Sequence, residues 1–456
     1  MRGTVKETET STPLHAQKMN TEQNQRTGTR IVYAITANYA YVFLKGRLRY
    51  LRAHGFCPVV VTGGDPKGIG DTGVEVINVP MTREISPARD FVSLFRLWLT
   101  LRRLRPAITN VSTPKAGLLA GLAAVMAGVP HRVYVLRGLR FESARGLKRK
   151  LLVTAEWIAC SCAHRVIAIS NSVRRRVIAD GIVKPEKVVV LVNGSEGVDT
   201  TRFAPGALCM ETLDRLHASL RIPKDALVLG FVGRLTRDKG IPELVSAFQL
   251  LRQTWNNLYL LLVGDFEAGD PVDADTYVAI NTDLHIIRTG FVEDTAPYYH
   301  LMDISVLPSY REGFPNVVLE AQATGVPVVT TTATGAIESI VDGVTGFLVP
   351  VGNSVLLAKA MGELLKNPGL RVRMGKAGRE RVEREFRPEV IGNALLAEYR
   401  TLLNKGASAP SEKTKNIPVT VPGQTQQDIP LHRVISNSKD QTPEPSLEET
   451  VIEVGQ

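Results

Sequence analysis

Short runs of aliphatic and β-branched residues recur along this chain, at 31–35, 59–62, 74–79, 132–136, 166–169 and 188–192, with longer helix-patterned stretches between them. Such alternation is the mark of βαβ units and predicts a parallel sheet. Residues 198–225 break the pattern: they carry Pro205, Gly206 and Pro223 and show no strand-like run. A second series then begins, at 227–232, 258–263, 285–289, 304–307, 328–331 and 346–349. The restart predicts two Rossmann-like α/β domains joined by a linker.

The pattern divides the chain into an N-terminal tail (1–28), a first α/β domain (29–198), a linker (199–225) and a second α/β domain (226–388). An amphipathic helix (389–405) follows, and a second tail closes the chain (406–456). Both tails are polar and aperiodic, the second rich in Pro, Ser, Thr, Gln and Glu, so neither buries enough apolar surface to fold alone.

With 456 residues, 44% hydrophobic and 22% charged, the chain has the length and composition for two globular cores. The net charge of +10 suits nucleic acid, an anionic membrane or a phosphorylated ligand alike. Cys57, Cys160, Cys162 and Cys209 form no C-x-x-C pair and have no companion histidines, which points to neither a zinc site nor a disulfide framework. A reduced, cytoplasmic setting is therefore expected, and the start of the chain lacks the basic-then-apolar form of a secretory signal. The longest apolar run, 117–130, is shorter than the roughly 20 residues of a spanning helix.

In open parallel sheets ligands gather at the carboxyl ends of the strands, where helix N-termini offer N–H groups to phosphates. The run 227–232 leads straight into Gly233-Arg234-Leu235-Thr236-Arg237-Asp238-Lys239-Gly240, with a helix expected from Ile241 and Pro242 in its first turn. Arg234 and Lys239 thus sit at a strand-to-helix corner, where a diphosphate would gain a guanidinium and an ammonium; taken alone, the segment equally fits two solvated surface cations. The run 304–307 leads into Pro308-Ser309-Tyr310-Arg311-Glu312-Gly313-Phe314-Pro315-Asn316-Val317-Val318-Leu319-Glu320. Seven residues separate Glu312, in the loop, from Glu320, one turn inside the following helix. Two carboxylates so placed can accept hydrogen bonds from a sugar and from a ribose, although the bare spacing also arises by chance.

Taken with Gly325-Val326-Pro327-Val328-Val329-Thr330 and Asp342-Gly343-Val344-Thr345-Gly346-Phe347-Leu348-Val349, these segments resemble the C-terminal domain of the group-1 retaining glycosyltransferases over roughly residues 227–403. The resemblance implies the GT-B architecture, two Rossmann-like domains facing across a cleft. It also implies a UDP- or similar nucleotide-sugar donor as co-substrate, with no metal and no other cofactor. Arg234 and Lys239 would hold the diphosphate, together with the N–H groups of Asn316 and Val317. Glu312 would stand at the transferred sugar and Glu320 at the ribose, with Gly233, Gly313 and Phe314 flanking them. Gly290-Phe291-Val292-Glu293 matches the family's base contact, through Phe291 and Val292.

In the first domain, Ser86-Pro87-Ala88-Arg89-Asp90, Thr113-Pro114-Lys115-Ala116-Gly117 and Arg137-Gly138-Leu139-Arg140-Phe141-Glu142 look like bacterial transferases that extend polyprenyl-diphosphate-linked glycans for capsule, O-antigen or protein glycosylation. Lys115 and Arg137 are the acceptor-side candidates. Two positions depart from the family: Arg137-Gly138 stands where many members have His-Gly, and Thr36-Ala37-Asn38-Tyr39 where they have Gly-Gly. Arg137 would then grip a phosphate, or form a salt bridge within the fold.

Arg145, Lys148, Arg149 and Lys150 precede Leu151, Leu152, Val153, Trp157 and Ile158, a basic start and an apolar face that suit a helix on an anionic bilayer as well as one packed on a sheet. With the lipid-acceptor resemblance, this predicts association with the inner face of the cell membrane. Asp273-Ala274-Asp275 is a chance likeness to a metal-binding D-x-D. Two other readings remain: a same-fold sugar-nucleotide epimerase, and a catalytically silent subunit that binds a nucleotide-sugar or glycan. Nucleic-acid binding has only charge behind it, and no feature speaks to oligomeric state.

Overall fold

The computed structural model describes residues 28–36, 44–64, 73–81 and 86–407. The tail segments, and Ala37–Tyr39 of the departure noted above, lie outside the described residues.

The first sheet has seven parallel strands: β1 (Thr29–Ile35), β2 (Phe56–Thr62), β3 (Glu75–Asn78), β4 (Ile108–Ser112), β5 (His131–Leu136), β6 (Arg165–Ala168) and β7 (Val188–Val190). Their order is β3-β2-β1-β4-β5-β6-β7. The second has six, β8 (Leu227–Val232), β9 (Leu258–Val263), β10 (Ile286–Gly290), β11 (Ile304–Leu307), β12 (Val328–Thr331) and β13 (Gly346–Val349), in the order β10-β9-β8-β11-β12-β13. Both orders reverse beside their first strand, and at that switch point the loops of two neighbouring strands diverge and leave a crevice. In the second sheet those strands are β8 and β11.

One central strand has no counterpart in the predicted series. β4 reads Ile108-Thr109-Asn110-Val111-Ser112, and its polar residues disguise it, yet Thr109, Asn110 and Ser112 are all buried. Asn110 Nδ2 donates to Tyr399 Oη at 2.7 Å, which in turn lies 2.7 Å from Tyr33 Oη. Buried polar groups are tolerated where they find partners.

Helices cover both faces of the first sheet: α1 (Lys45–Ala53), α2 (Pro87–Leu104), α3 (Pro114–Met126), α4 (Gly146–Cys162) and α5 (Asn171–Ala179). The long apolar run is α3, wedged between α2 and α4 with Ala116, Leu119, Ala120, Ala123 and Ala124 buried. A helix apolar all round belongs in such a layer. The expected linker holds a helix, α6 (Met210–Leu220), and Phe203 and Ile222 on either side of it are buried in the second domain's core.

The second sheet carries α7 (Ile241–Arg252), α8 (Ala274–Thr282), the single turn α9 (Ala296–Tyr299), α10 (Asn316–Ala323), α11 (Ser354–Lys366) and α12 (Pro368–Glu385). The last helix, α13 (Pro388–Ala407), returns to the first sheet, where Leu395, Leu396, Tyr399 and Leu402 join Ile31, Tyr33, Leu44 and Leu48 in one buried cluster. The chain therefore ties the two domains together twice. Val198 N–H donates to Phe386 O at 2.9 Å where both crossings pass.

Candidate active site

β8 and β11 deliver their following loops to the switch-point crevice. After β8, Gly233 takes φ 147° and Arg237–Lys239 form one 3-10 turn closed by Gly240. After β11, the loop 308–315 runs into α10, with Pro315 at the N-cap position. A helix leaves its first N–H groups without intrahelical partners, so those of Asn316 and Val317 face out of the start of α10.

The two loops meet through adjacent ion pairs. Lys239 Nζ lies 2.5 Å from Glu312 Oε1, and Ser309 Oγ donates to that same oxygen at 2.7 Å. One residue earlier on each loop, Arg311 Nη2 lies 2.8 Å from Asp238 Oδ2. Burial raises the Asp238 carboxyl, but the Thr236 hydroxyl bond and the charges of Arg311, Lys239 and Arg234 outweigh it and hold the group below its usual range. Lys239 and Glu312 are both largely buried, so each supplies the other's counter-charge while remaining at the crevice.

Arg234 is half exposed and pairs with Glu267. Glu267 follows β9 through Gly264, where a Cβ would fall 1.8 Å from Gly233 O. Only glycine lets the β9 loop pass so close to the β8 loop, and a glycine directly after a strand was the available sign that this loop belongs to the site. Glu320, the fifth residue of α10, accepts from Tyr299 Oη at 2.8 Å. Burial raises its carboxyl above the usual range, although the Tyr299 hydroxyl bond, the Arg202 charge and Thr295 pull the other way. Phe291 is 85% exposed and Val292 half-buried in the loop after β10. Phe314 is turned inward: its ring packs on Phe386 at 5.6 Å and would touch a Cβ at Gly194. A donor contact at Phe314 is therefore confined to its backbone.

The first domain reaches this point through the loop after β5. A Cβ on Gly313 would lie 1.9 Å from Arg137 O, so the backbones of Arg137-Gly138 and Glu312-Gly313 are in direct contact. The Arg137 side chain is mostly buried, 2.8 Å from Glu196, and Glu196 also pairs with Arg47. One carboxylate between two guanidiniums leaves the cluster cationic; burial lowers the Arg137 pKa, with Glu196 opposing. Lys115, at the start of α3, pairs with Asp90 of α2 at 2.7 Å, which joins two of the motifs singled out in the sequence. Since Ser112 pairs with Val135, Lys115 and Arg137 follow neighbouring strands at the same sheet edge.

Contacts invisible in the sequence hold the domains closed. Ser172 Oγ donates to Glu338 at 2.8 Å and accepts from Gly335 N–H at 2.8 Å, Ser195 Oγ donates to Asn316 Oδ1 at 3.0 Å, and Thr334 Oγ1 donates to Glu142 at 3.1 Å. The Asp273-Ala274-Asp275 run is a helix cap: Asp273 accepts from Thr276 N–H at the head of α8. Among the described residues no group of three or more His, Cys, Asp and Glu side chains is placed to hold a metal ion.

Two family models match the chain: glycosyl transferases group 1 over residues 214–381, and a glycosyl transferase 4-like domain over residues 44–194. The capsular polysaccharide biosynthesis glycosyltransferase CapM of Staphylococcus aureus is 34% identical over 82% of this chain and 98% of its own length. A UDP-Gal:alpha-D-GlcNAc-diphosphoundecaprenol alpha-1,3-galactosyltransferase of Escherichia coli is 29% identical over 62% of this chain and 73% of its own. Among solved structures, Anabaena Alr3699/HepE in complex with UDP-glucose superposes with a TM-score of 0.69 at 20% identity, over 82% of this chain and 99% of that one. The shared architecture is GT-B.

Proposed function

The chain belongs to the group 1 glycosyltransferases, and on that premise we propose that it moves a hexose or N-acetylhexosamine from a UDP-linked donor, with retention of configuration, onto a lipid-diphosphate-linked glycan of a surface polysaccharide. The observation that carries this reading is the meeting of Arg137-Gly138 with Glu312-Gly313 beside the Lys239–Glu312 pair. Both domains close on one point, and that point has the charges a sugar diphosphate needs.

In this reading the donor diphosphate lies against Arg234, Lys239 and the N–H groups of Asn316 and Val317, with the ribose at Glu320 and the base at Phe291 and Val292. Glu312 faces the sugar. The acceptor hydroxyl approaches from the side the diphosphate leaves: the bond from C1 to the diphosphate oxygen breaks as the bond from C1 to the acceptor oxygen forms. The hydroxyl proton passes to the departing diphosphate. No general base is required. The preorganised cations and helix N–H groups stabilise the leaving charge, a contribution of roughly 3 kcal/mol for each well-placed donor. No metal ion enters the scheme, since Arg234 and Lys239 supply the positive charge.

The acceptor's lipid brings the protein to the inner face of the membrane. On α4, Leu147, Leu151 and Trp157 are exposed beside Lys148 and Lys150, while Glu156, Ala159 and Cys160 face inward. On α2, Phe91, Val92, Phe95 and Leu99 are exposed as well. Apolar side chains among basic ones suit an interfacial surface. Among the described residues no helix is long and apolar enough to cross a membrane.

The test is release of nucleoside diphosphate from a panel of UDP-, GDP- and dTDP-sugars, with and without membrane extract as acceptor. Release from one donor that rises with extract is expected. Nucleotide binding without release from any donor would leave a silent binding subunit, and conversion of the sugar without an acceptor would mark an epimerase.

A further inference from the structure

The first crossing between the domains, residues 192–198, holds both walls of the site through two consecutive residues. Ser195 Oγ donates to Asn316 Oδ1 at 3.0 Å, on the first residue of α10, where the donor diphosphate is proposed to lie. Glu196 Oε1 lies 2.8 Å from Arg137 Nη1, on the loop whose backbone meets Glu312-Gly313. Consecutive Cα atoms stand about 3.8 Å apart across a trans peptide. The head of α10 and the β5 loop are thus tied to one short unit of chain.

This segment keeps a conformation that its sequence resists. Val192 has φ 52° and Ser195 φ 72°, in the left-handed region that residues with a Cβ seldom take and β-branched ones least of all. Val192 is 41% exposed, so burial of its own side chain does not account for this. Such strain persists only where the surroundings over-determine it, and it gathers at functional geometry. Here Ser195 N–H donates to Ile169 O at 2.9 Å, Gly197 N–H to Ser195 Oγ at 3.1 Å, and Val198 N–H to Phe386 O at 2.9 Å. A Cβ on Gly194 would fall 2.3 Å from Ile169 O, and one on Gly197 3.2 Å from Pro388 Cα. The segment is therefore pressed between the end of β6 and the second crossing. Ser195 is buried, and the Glu196 side chain is 6% exposed with its other oxygen on Arg47 of α1.

We infer that Ser195 and Glu196 are positioning residues for the transfer: together they set the distance between the head of α10 and the Arg137-Gly138 loop, and neither touches a substrate. The inference rests on the transfer reading given above and adds to it the element that spaces its two walls. Glu196, by bridging Arg47 and Arg137, also ties the β5 loop back to α1.

Steady-state transfer by the full chain tests it, with the donor found in the release assay and membrane extract as acceptor, in Ser195→Ala, Glu196→Gln and the double variant. Each single change should lower kcat about tenfold, as for a shift of roughly half an ångström between reacting groups. The donor KM should stay within twofold and the melting temperature within a few degrees. Because both residues act through one segment, the double variant should be at most threefold slower than the slower single one; independent losses would multiply to about 100-fold. Glu196→Gln leaves two arginines facing each other without a counter-charge. If it fails to fold, Glu196→Asp, which keeps the charge and shortens the reach by one carbon, takes its place under the same expectations. A kcat within threefold of the unaltered chain in either single variant, a donor KM that rises as kcat falls, or multiplied losses in the double variant would each overturn the inference. Absence of transfer by the unaltered chain is a separate outcome: it removes the transfer reading, and this inference with it.

Discussion

Gly313→Ala isolates the closure of the two domains from every charged group in the site. The backbone of Gly313 does not take a left-handed conformation, so alanine meets no torsional obstacle there; only space is at issue. Its Cβ would lie 1.9 Å from Arg137 O, 2.6 Å from Arg137 C and 3.2 Å from Gly138 N, all backbone atoms that no rotamer change can move. Since real Cβ atoms do not approach heavy atoms within 3.0 Å, the domains must separate there by about 1 Å. A misplacement of that size costs on the order of 100-fold in rate when the reacting groups come from two walls. We predict that kcat falls about 100-fold. UDP affinity, measured by calorimetry, should change less than threefold, because the donor residues all belong to the second domain. Transfer within threefold of the unaltered chain would refute the claim that contact at Arg137-Gly138 completes the site.

Lys239→Ala and Glu312→Ala should each lower turnover by 100-fold or more with melting temperatures within a few degrees of the parent, checked by steady-state assay and calorimetry. Glu156 is buried on α4 and accepts from Tyr134 Oη at 2.6 Å; burial raises its pKa from 4.5 to about 7, with the tyrosine bond opposing. The folded state therefore holds a proton there that the unfolded chain releases, so this group's contribution is full below pH 4.5 and fades as pH rises to about 7, by about 3 kcal/mol in all. Glu156→Gln should abolish that slope and raise the unfolding midpoint at pH 8, read from denaturant titrations at several pH values. Leu147→Glu with Leu151→Glu should cut binding to vesicles rich in anionic lipid tenfold or more without lowering affinity for UDP, as measured by co-sedimentation and calorimetry.

The second domain was more legible than the first. Its strands β8 and β9 are continuous apolar runs, as strands buried on both faces should be, and Arg234, Lys239 and Glu312 lie on two short loops placed at the switch point by strand order. The pairing of Lys239 with Glu312 was open to inference once both loops were placed there; the pairing of Arg234 with Glu267 was not, because it depends on how the β9 loop folds back past Gly264. β4 escaped because it buries Thr109, Asn110 and Ser112 among its apolar residues, with Asn110 reaching a partner from afar, Tyr399 lying 289 residues on. Sequence pattern reports apolar burial, and a buried polar strand leaves no such trace. The contacts of Ser172, at the start of α5, and of Ser195 and Thr334 across the cleft were equally silent, since a hydroxyl side chain looks solvated until the facing domain is in place.

The most direct test of the account is the configuration of the bond it makes. With the donor found in the release assay, labelled with ¹³C at C1, the transferred sugar can be recovered on the lipid-linked glycan and its one-bond C1–H1 coupling measured. The α configuration, matching an α-linked donor, is predicted; a β product would contradict front-face transfer and the assignment of Glu312, Lys239 and Arg234 to it.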